Sequence, residues 1–323
     1  MTSGTKHWTA LAMLAACTFS TGGSFVLFKA SVILHQPFAL GESSWFVTAH
    51  DLIPRFFIGV LVLLAWYGRK VLQLTRPEWQ QAGFMAVTSF AGCMLQLDGL
   101  QRTSAATTAF LTQFFVVLIP LWWALLHRRR PAWPVLVACG LVLTGMAVLA
   151  RVDWHDFRLG RGEAEVLLGA VFFSLLLISL NWPAFATNRA ERTSAAMFLL
   201  EGGLFLAVSV AVCREPAHLL APYASFGWVG VMLAATVFGT IGPFAVMNHW
   251  QRYVTPTEAG MLYCFCPVVA AVAEVFFPEV LSRWTGVVYA NQPLTLTLAV
   301  GGAFILGANL LVQWSPGTRP PAQ

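Results

Sequence analysis

Apolar residues in this 323-residue chain gather into about ten runs of 17–24, and that run length limits what the chain can become. About 20 apolar residues in a helix cross the hydrocarbon layer of a bilayer at 1.5 Å per residue. Inside lipid every backbone N–H and C=O must be satisfied within its own segment, so each run is expected to be a helix. Hydrophobic residues make up 58% of the chain and charged residues only 10%, against about 25% charged in ordinary globular domains. The expected fold is therefore all-α and integral to a membrane. Ten spans are read at 8–31, 47–68, 80–98, 104–126, 133–150, 164–184, 195–213, 227–248, 256–277 and 295–314. They consume roughly two thirds of the residues and leave no soluble catalytic domain.

The net charge of +5 reflects topology rather than a nucleic-acid partner. With the N-terminus inside, the cytoplasmic segments hold Lys6, Arg69, Lys70, Arg76, Arg128, Arg129, Arg130, Arg189, Arg192, Arg252 and Arg319. The outer segments hold fewer: Arg55, Arg102, Arg151, Arg158, Arg161, Arg214 and Arg283. Short basic loops are rarely translocated, so both termini are expected in the cytoplasm of a multi-pass protein of the bacterial inner membrane. Leu14-Ala15-Ala16-Cys17 after Lys6 resembles a lipoprotein cleavage box, yet apolar character continues past Cys17 to Phe28, as in a retained first span. The six cysteines lie in or at the end of apolar runs without a CxxC pair, and are read as small packing residues.

A shift of 150 residues lays Gly92, Gln101, Arg102, Thr107 and Ala109 on Gly242, Gln251, Arg252, Thr257 and Ala259, with Asp98 on Asn248. Both segments join a third to a fourth span. Two five-helix repeats, 1–150 and 151–323, would cross the membrane in opposite senses because five is odd. Inverted repeats of this kind mark secondary transporters, whose site lies at mid-membrane between the halves. The connections 32–46 and 279–294 are read as outer surface loops or short interfacial helices.

Several stretches resemble a known family. Thr21-Gly22-Gly23-Ser24-Phe25-Val26-Leu27-Phe28-Lys29 is similar to the WGSNFVxxK first-helix pattern of EamA-type drug/metabolite transporters, with Thr21 in place of Trp. Pro54-Arg55-Phe56 resembles the start of their second helix, and Thr103-Ser104-Ala105 running on to Pro120 resembles their fourth. Arg252 to Pro267, followed by Pro278-Glu279, resembles their ninth. The chain departs from the pattern at Arg128-Arg129-Arg130 and in its outer insertions. The resemblance implies a ten-helix carrier of small metabolites, with a pocket lined by the first, third, fourth, sixth, eighth and ninth helices.

Charged groups inside spans cost about 2.5–3.5 kcal/mol each on insertion scales, so each needs a reason. Lys29 either snorkels to the interface or contacts an anion at a gate. Glu201 either pairs with a basic group or binds a proton, and Glu274 either sits at the interface or takes part in gating. Substrate-binding candidates are Gln113, Tyr263, Asn181, Trp182, Ser24 and Gln96. Gln113 and Tyr263 occupy matching places in the fourth and ninth spans and would meet across the pseudo-two-fold axis. An interhelical hydrogen bond is the plainer alternative. Pro183, Pro267 and the run Gly239-Thr240-Ile241-Gly242-Pro243 mark helices that bend or pack closely. His50-Asp51 is read as a solvated pair in an outer segment.

No HExxH, GxSxG or Walker motif occurs, so neither catalytic residues nor a metal or other cofactor are expected. The expected function is secondary-active transport, by export or exchange, of a small organic metabolite through alternating access. Protons or a counter-solute are the candidate coupling partners, and membrane lipid surrounds the protein. A membrane-embedded enzyme acting on a lipid or isoprenoid substrate is the alternative. Oligomeric state is not legible.

Overall fold

The computed structural model describes residues 3–126, 128, 130, 133–149, 160–180, 182–250, 253–254 and 262–314. Helices follow the apolar runs in order, and the described residues contain no strand. α1 is Ser3–His35, α2 Ser44–Tyr67 and α3 Arg76–Arg102. α4 (Ala105–Thr112) and α5 (Phe114–Leu126) form a rod interrupted at Gln113. α6 is Trp133–Leu149, α7 Arg161–Leu180 and α8 Ala190–Val212. α9 (Phe226–Thr236) passes through a π-helical turn at Val237–Ile241 into α10 (Gly242–Trp250). α11 is Cys266–Thr285 and α12 Leu296–Trp314.

Among the described residues, five stretches are long and apolar enough to cross a membrane: Lys6–Phe38, Ser44–Leu72, Ala105–Leu126, Arg161–Leu180 and Ala190–Val212. Shorter apolar helices cover Trp133–Gly145, Phe226–Ile241 and Leu296–Leu311. α3 falls outside both groups.

Two expectations about connections need correction. α1 runs on to His35 and α2 starts at Ser44, so the 32–46 loop shrinks to Gln36–Ser43, part of it a 3-10 turn at Gln36–Phe38. α11 carries Pro278 and Glu279 inside the helix and ends only at Gly286, whose φ of +74° suits glycine. The ninth helix thus runs past the expected end at 277, while its expected start at 256 lies outside the described residues. Residues 255–261 lie outside the described residues, as do Gln251, Arg252, Thr257 and Ala259 of the repeat.

Side-chain caps set the starts of the helices. Ser43 accepts from the Phe46 amide, Ser104 from Thr107 and Ser225 from Trp228. At α3 a full capping box joins Thr75 and Glu78, with Pro77 between them in the first turn.

Helices of the first half pack mainly on helices of the second: α3 on α7, α2 on α8, α6 on α12, and α1 on α11 and the α9–α10 rod. Lipid offers helices no hydrophobic drive to associate, so close contact must come from small residues. Along α3 and α7 it does. A Cβ at Gly99 would lie 2.5 Å from the Gly162 carbonyl, and one at Gly169 would lie 3.0 Å from the Gly92 carbonyl. Two glycines seven residues apart on each antiparallel helix therefore bring the backbones into contact.

Candidate functional site

Two rods are broken at matching places. The α4–α5 rod breaks at Gln113. In the second half, residues 262–263 are helical, Cys264 and Phe265 form a turn, and α11 begins at Cys266. Gln113 Nε2 donates to the Tyr263 carbonyl at 3.4 Å, bridging the two breaks. Gln113 is 6% exposed, and its Oε1 and the Tyr263 hydroxyl are both buried without a hydrogen-bond partner. A buried orphan polar atom costs about 1–3 kcal/mol, so the break holds one unmet acceptor and one hydroxyl able to donate or accept.

The other substrate-binding candidates are spread out. Gln96 Nε2 donates to Thr112 Oγ1 at 2.8 Å, beside the break. Ser24 donates to the Thr21 carbonyl at 2.7 Å, and its Oγ lies 2.8 Å from where a Gly239 Cβ would stand. Trp182 is 44% exposed at the start of the Pro183–Phe185 turn and is not brought to the break. Pro183 lies beyond α7 and does not bend it. Asn181 lies outside the described residues. The glycine run at 239–243 forms the π turn and enters α10, which packs beside α1.

Lys29 and Glu274 serve the junction of α3 and α4. Lys29 Nζ donates to the carbonyls of Leu100, Gln101 and Thr103, the orphan acceptors at the end of α3. Glu274, buried rather than interfacial, accepts from the Ala105 and Ala106 amides at 2.8 Å each, at the start of α4. Each charge has the sign that its helix end favours.

Glu201 on α8 is fully buried and faces Ser89 and Cys93 of α3. Both carboxyl oxygens lack a hydrogen-bond partner, and no ion pair to it occurs among the described residues. Phe205, one turn along α8, stacks on Phe56 with ring centres 5.3 Å apart.

A buried charge cluster at His50-Asp51 went unread in the sequence, where the pair was taken as solvated. Asp51 is 0% exposed in α2. It accepts from Arg55 Nη2 at 2.9 Å, from Trp228 Nε1 at 3.2 Å and from Ser31 Oγ. Arg55, counted among the outer charges, is buried and rests over the Phe28 ring at 4.0 Å. The missed signal was the i, i+4 spacing of Asp51 and Arg55 within an apolar run.

Outside the membrane-spanning segments, Glu42 ties the Gln36–Ser43 connection to the one after α8. Its carboxylate accepts from the Arg214 and Glu215 amides at 3.0 Å and pairs with His218 Nδ1 at 2.9 Å. Burial works against its charge, but His218 and the two amides outweigh that and hold the carboxyl below the usual range.

Residues 7–151 match the EamA-like transporter family, so the resemblance read from the sequence holds over that stretch. An uncharacterized transporter of Archaeoglobus fulgidus is 26% identical over 264 residues, which is 80% of this chain and 84% of that protein. A chain in a solved crystal structure aligns with a TM-score of 0.54 at 18% identity, covering 91% of this chain and 96% of its own. That last likeness concerns the fold alone. The apolar helices agree with a multi-pass membrane protein, and both sequence matches are to transporters.

Proposed function

We propose, from a first half that matches the EamA-like transporter family, that this chain is a secondary-active carrier moving a small organic solute by alternating access. The carrying observation is the pair of breaks at Gln113 and at Cys264–Phe265, joined by Gln113 and Tyr263. Facing discontinuous helices are where secondary carriers place their solute. A solute with one donor and one acceptor would satisfy Gln113 Oε1 and the Tyr263 hydroxyl.

The packing supports two inverted halves, 1–150 and 151–323. The third rod of the first half lies on the first of the second, and the first of the first half lies on the third of the second. A two-fold axis in the membrane plane exchanges those two contacts. Rocking of the halves about the broken rods then exposes the pocket to each side in turn, for export or exchange. Glu201, buried and unpaired, is the candidate coupling group for protons. Both termini face the cytoplasm in this reading, in a bacterial inner membrane.

The test is counterflow of labelled amino acids, nucleobases, sugars and organic acids in proteoliposomes. Gln113→Ala and Tyr263→Phe should each slow exchange about tenfold, the cost of one lost hydrogen bond of ~1.4 kcal/mol. Thermal stability in detergent should stay near the wild-type value for Tyr263→Phe, which removes a hydroxyl already unpartnered, and fall by about 1 kcal/mol for Gln113→Ala, which also loses the Nε2 bond to the Tyr263 carbonyl. Wild-type exchange by both variants would place the site elsewhere. In the same assay between pH 5 and 8, an unaltered Glu201→Gln profile would remove Glu201 from coupling.

A further inference from the structure

Two imidazoles sit sealed at the end of the bundle that holds the 36–43 and 213–225 connections, and the carrier reading does not use them. His35, the last residue of α1, has no exposure, and neither ring nitrogen has a partner. His50 of α2 is 2% exposed, and its Nε2 meets the Leu219 carbonyl at 3.0 Å. A carbonyl only accepts, so Nε2 carries the hydrogen and Nδ1 holds a lone pair that no donor meets. The two rings are 4.8 Å apart. Phe46, Tyr223 and Trp228 wall them in, with ring centres 5.5–6.0 Å from His50. Two unmet lone pairs in one sealed chamber are the chemistry of a proton acceptor.

We propose that His35 and His50 form a proton-binding site that frees the 213–225 connection from α2 on acidification.

The groups facing the pair set the sign. From α2 come Asp51 and Arg55; from the 213–225 connection come His218 and Tyr223, with Glu42 and Glu215 on the far side of His218. Asp51 is already committed to Arg55, Ser31 and Trp228. A proton on either imidazole therefore adds a charge that no free anion meets, and water must enter to solvate it. The weak point is the Leu219 contact, which borders a cavity of about 370 Å³ lined by His50, Ile53, Leu206, Leu219, Leu220 and Tyr223. A solvated imidazole titrates near about 6.5. The closed form prevails above that pH, and one proton taken up on opening favours the open form about tenfold more at pH 5.5 than at 7.5. The His218–Glu42 contact holds the connection on its other side, and Glu42 keeps its charge at pH 5.5.

Hydrogen–deuterium exchange on the full chain in phosphatidylcholine–phosphatidylglycerol nanodiscs tests this without any transported solute, so it stands or falls apart from the carrier reading. After correction for intrinsic exchange, wild-type peptides covering 213–225 should exchange about tenfold faster at pH 5.5 than at 7.5. His35→Phe keeps a ring against Phe46 and Trp228 but removes the basic nitrogens; with His50→Gln it should flatten the response to under about twofold. His218→Gln should keep the response. Equal wild-type exchange at both pH values, or a full response in the double variant, overturns the proposal. Should the double variant misfold, the wild-type series decides, and equal exchange of 213–225 at both pH values overturns the proposal.

Discussion

Lys29 and Glu274 each direct a charge at backbone groups rather than at each other. Two carbonyls of α3 and that of its cap Thr103 converge on one ammonium, and two amides of α4 on one carboxylate. Glu274→Gln replaces one accepting oxygen by an amide nitrogen facing an N–H, so it should cost about 1–2 kcal/mol. Lys29→Met leaves the carbonyls without a donor and should cost about 3 kcal/mol. Because both serve one junction, the double variant should lose less than the sum of the two, as thermal unfolding in detergent would show. Independent, additive losses would mean that the junction does not couple them. Both residues stood out in the sequence because a charge within an apolar run demands a partner. The partners themselves were not legible, since backbone acceptors leave no trace in residue identity. Asp51 and His50 were misread for a related reason: their solvation is decided by Ser31, His35 and Trp228, which lie on other helices.

At the scale of helices, run length foretold most elements, because a span of lipid imposes its own length on a sequence. Where polar residues or prolines interrupt the run, length loses its power. α11 runs past the expected end at 277 and carries Pro278, Glu279 and Arg283 within it. The seam between α3 and α7 was missed although Gly92 and Gly99, and Gly162 and Gly169, repeat at seven residues. Its energetics can be read from two substitutions on the same helix. Gly99→Ala drives a methyl group toward the Gly162 carbonyl and Val166, and should destabilise by about 1–3 kcal/mol. Gly83→Ala meets nothing within 4 Å and should stabilise by about 0.5–1 kcal/mol by relieving helix entropy. Opposite shifts of the unfolding midpoint are expected. A stabilising Gly99→Ala would mean that the helices do not touch there.

For the whole molecule, the distribution of positive charge is the remaining guide to orientation. Arg55 leaves the outer tally because it lies buried against Asp51 and Phe28, which widens the asymmetry toward the segments expected in the cytoplasm. A fluorescent protein fused after Gln323 should therefore fold and fluoresce in bacteria. A thiol placed at Arg128 in a cysteine-free chain should react only after the membrane is permeabilised. Labelling of that thiol from outside intact cells would reverse the orientation. The Asp51–Arg55 pair also bears on how the polypeptide enters the bilayer. Because the two charges lie one turn apart on α2, they can cancel as soon as that turn coils. The segment can then leave the insertion machinery electrically balanced, and Ser31 and Trp228 complete the neutralised pair only when their helices arrive.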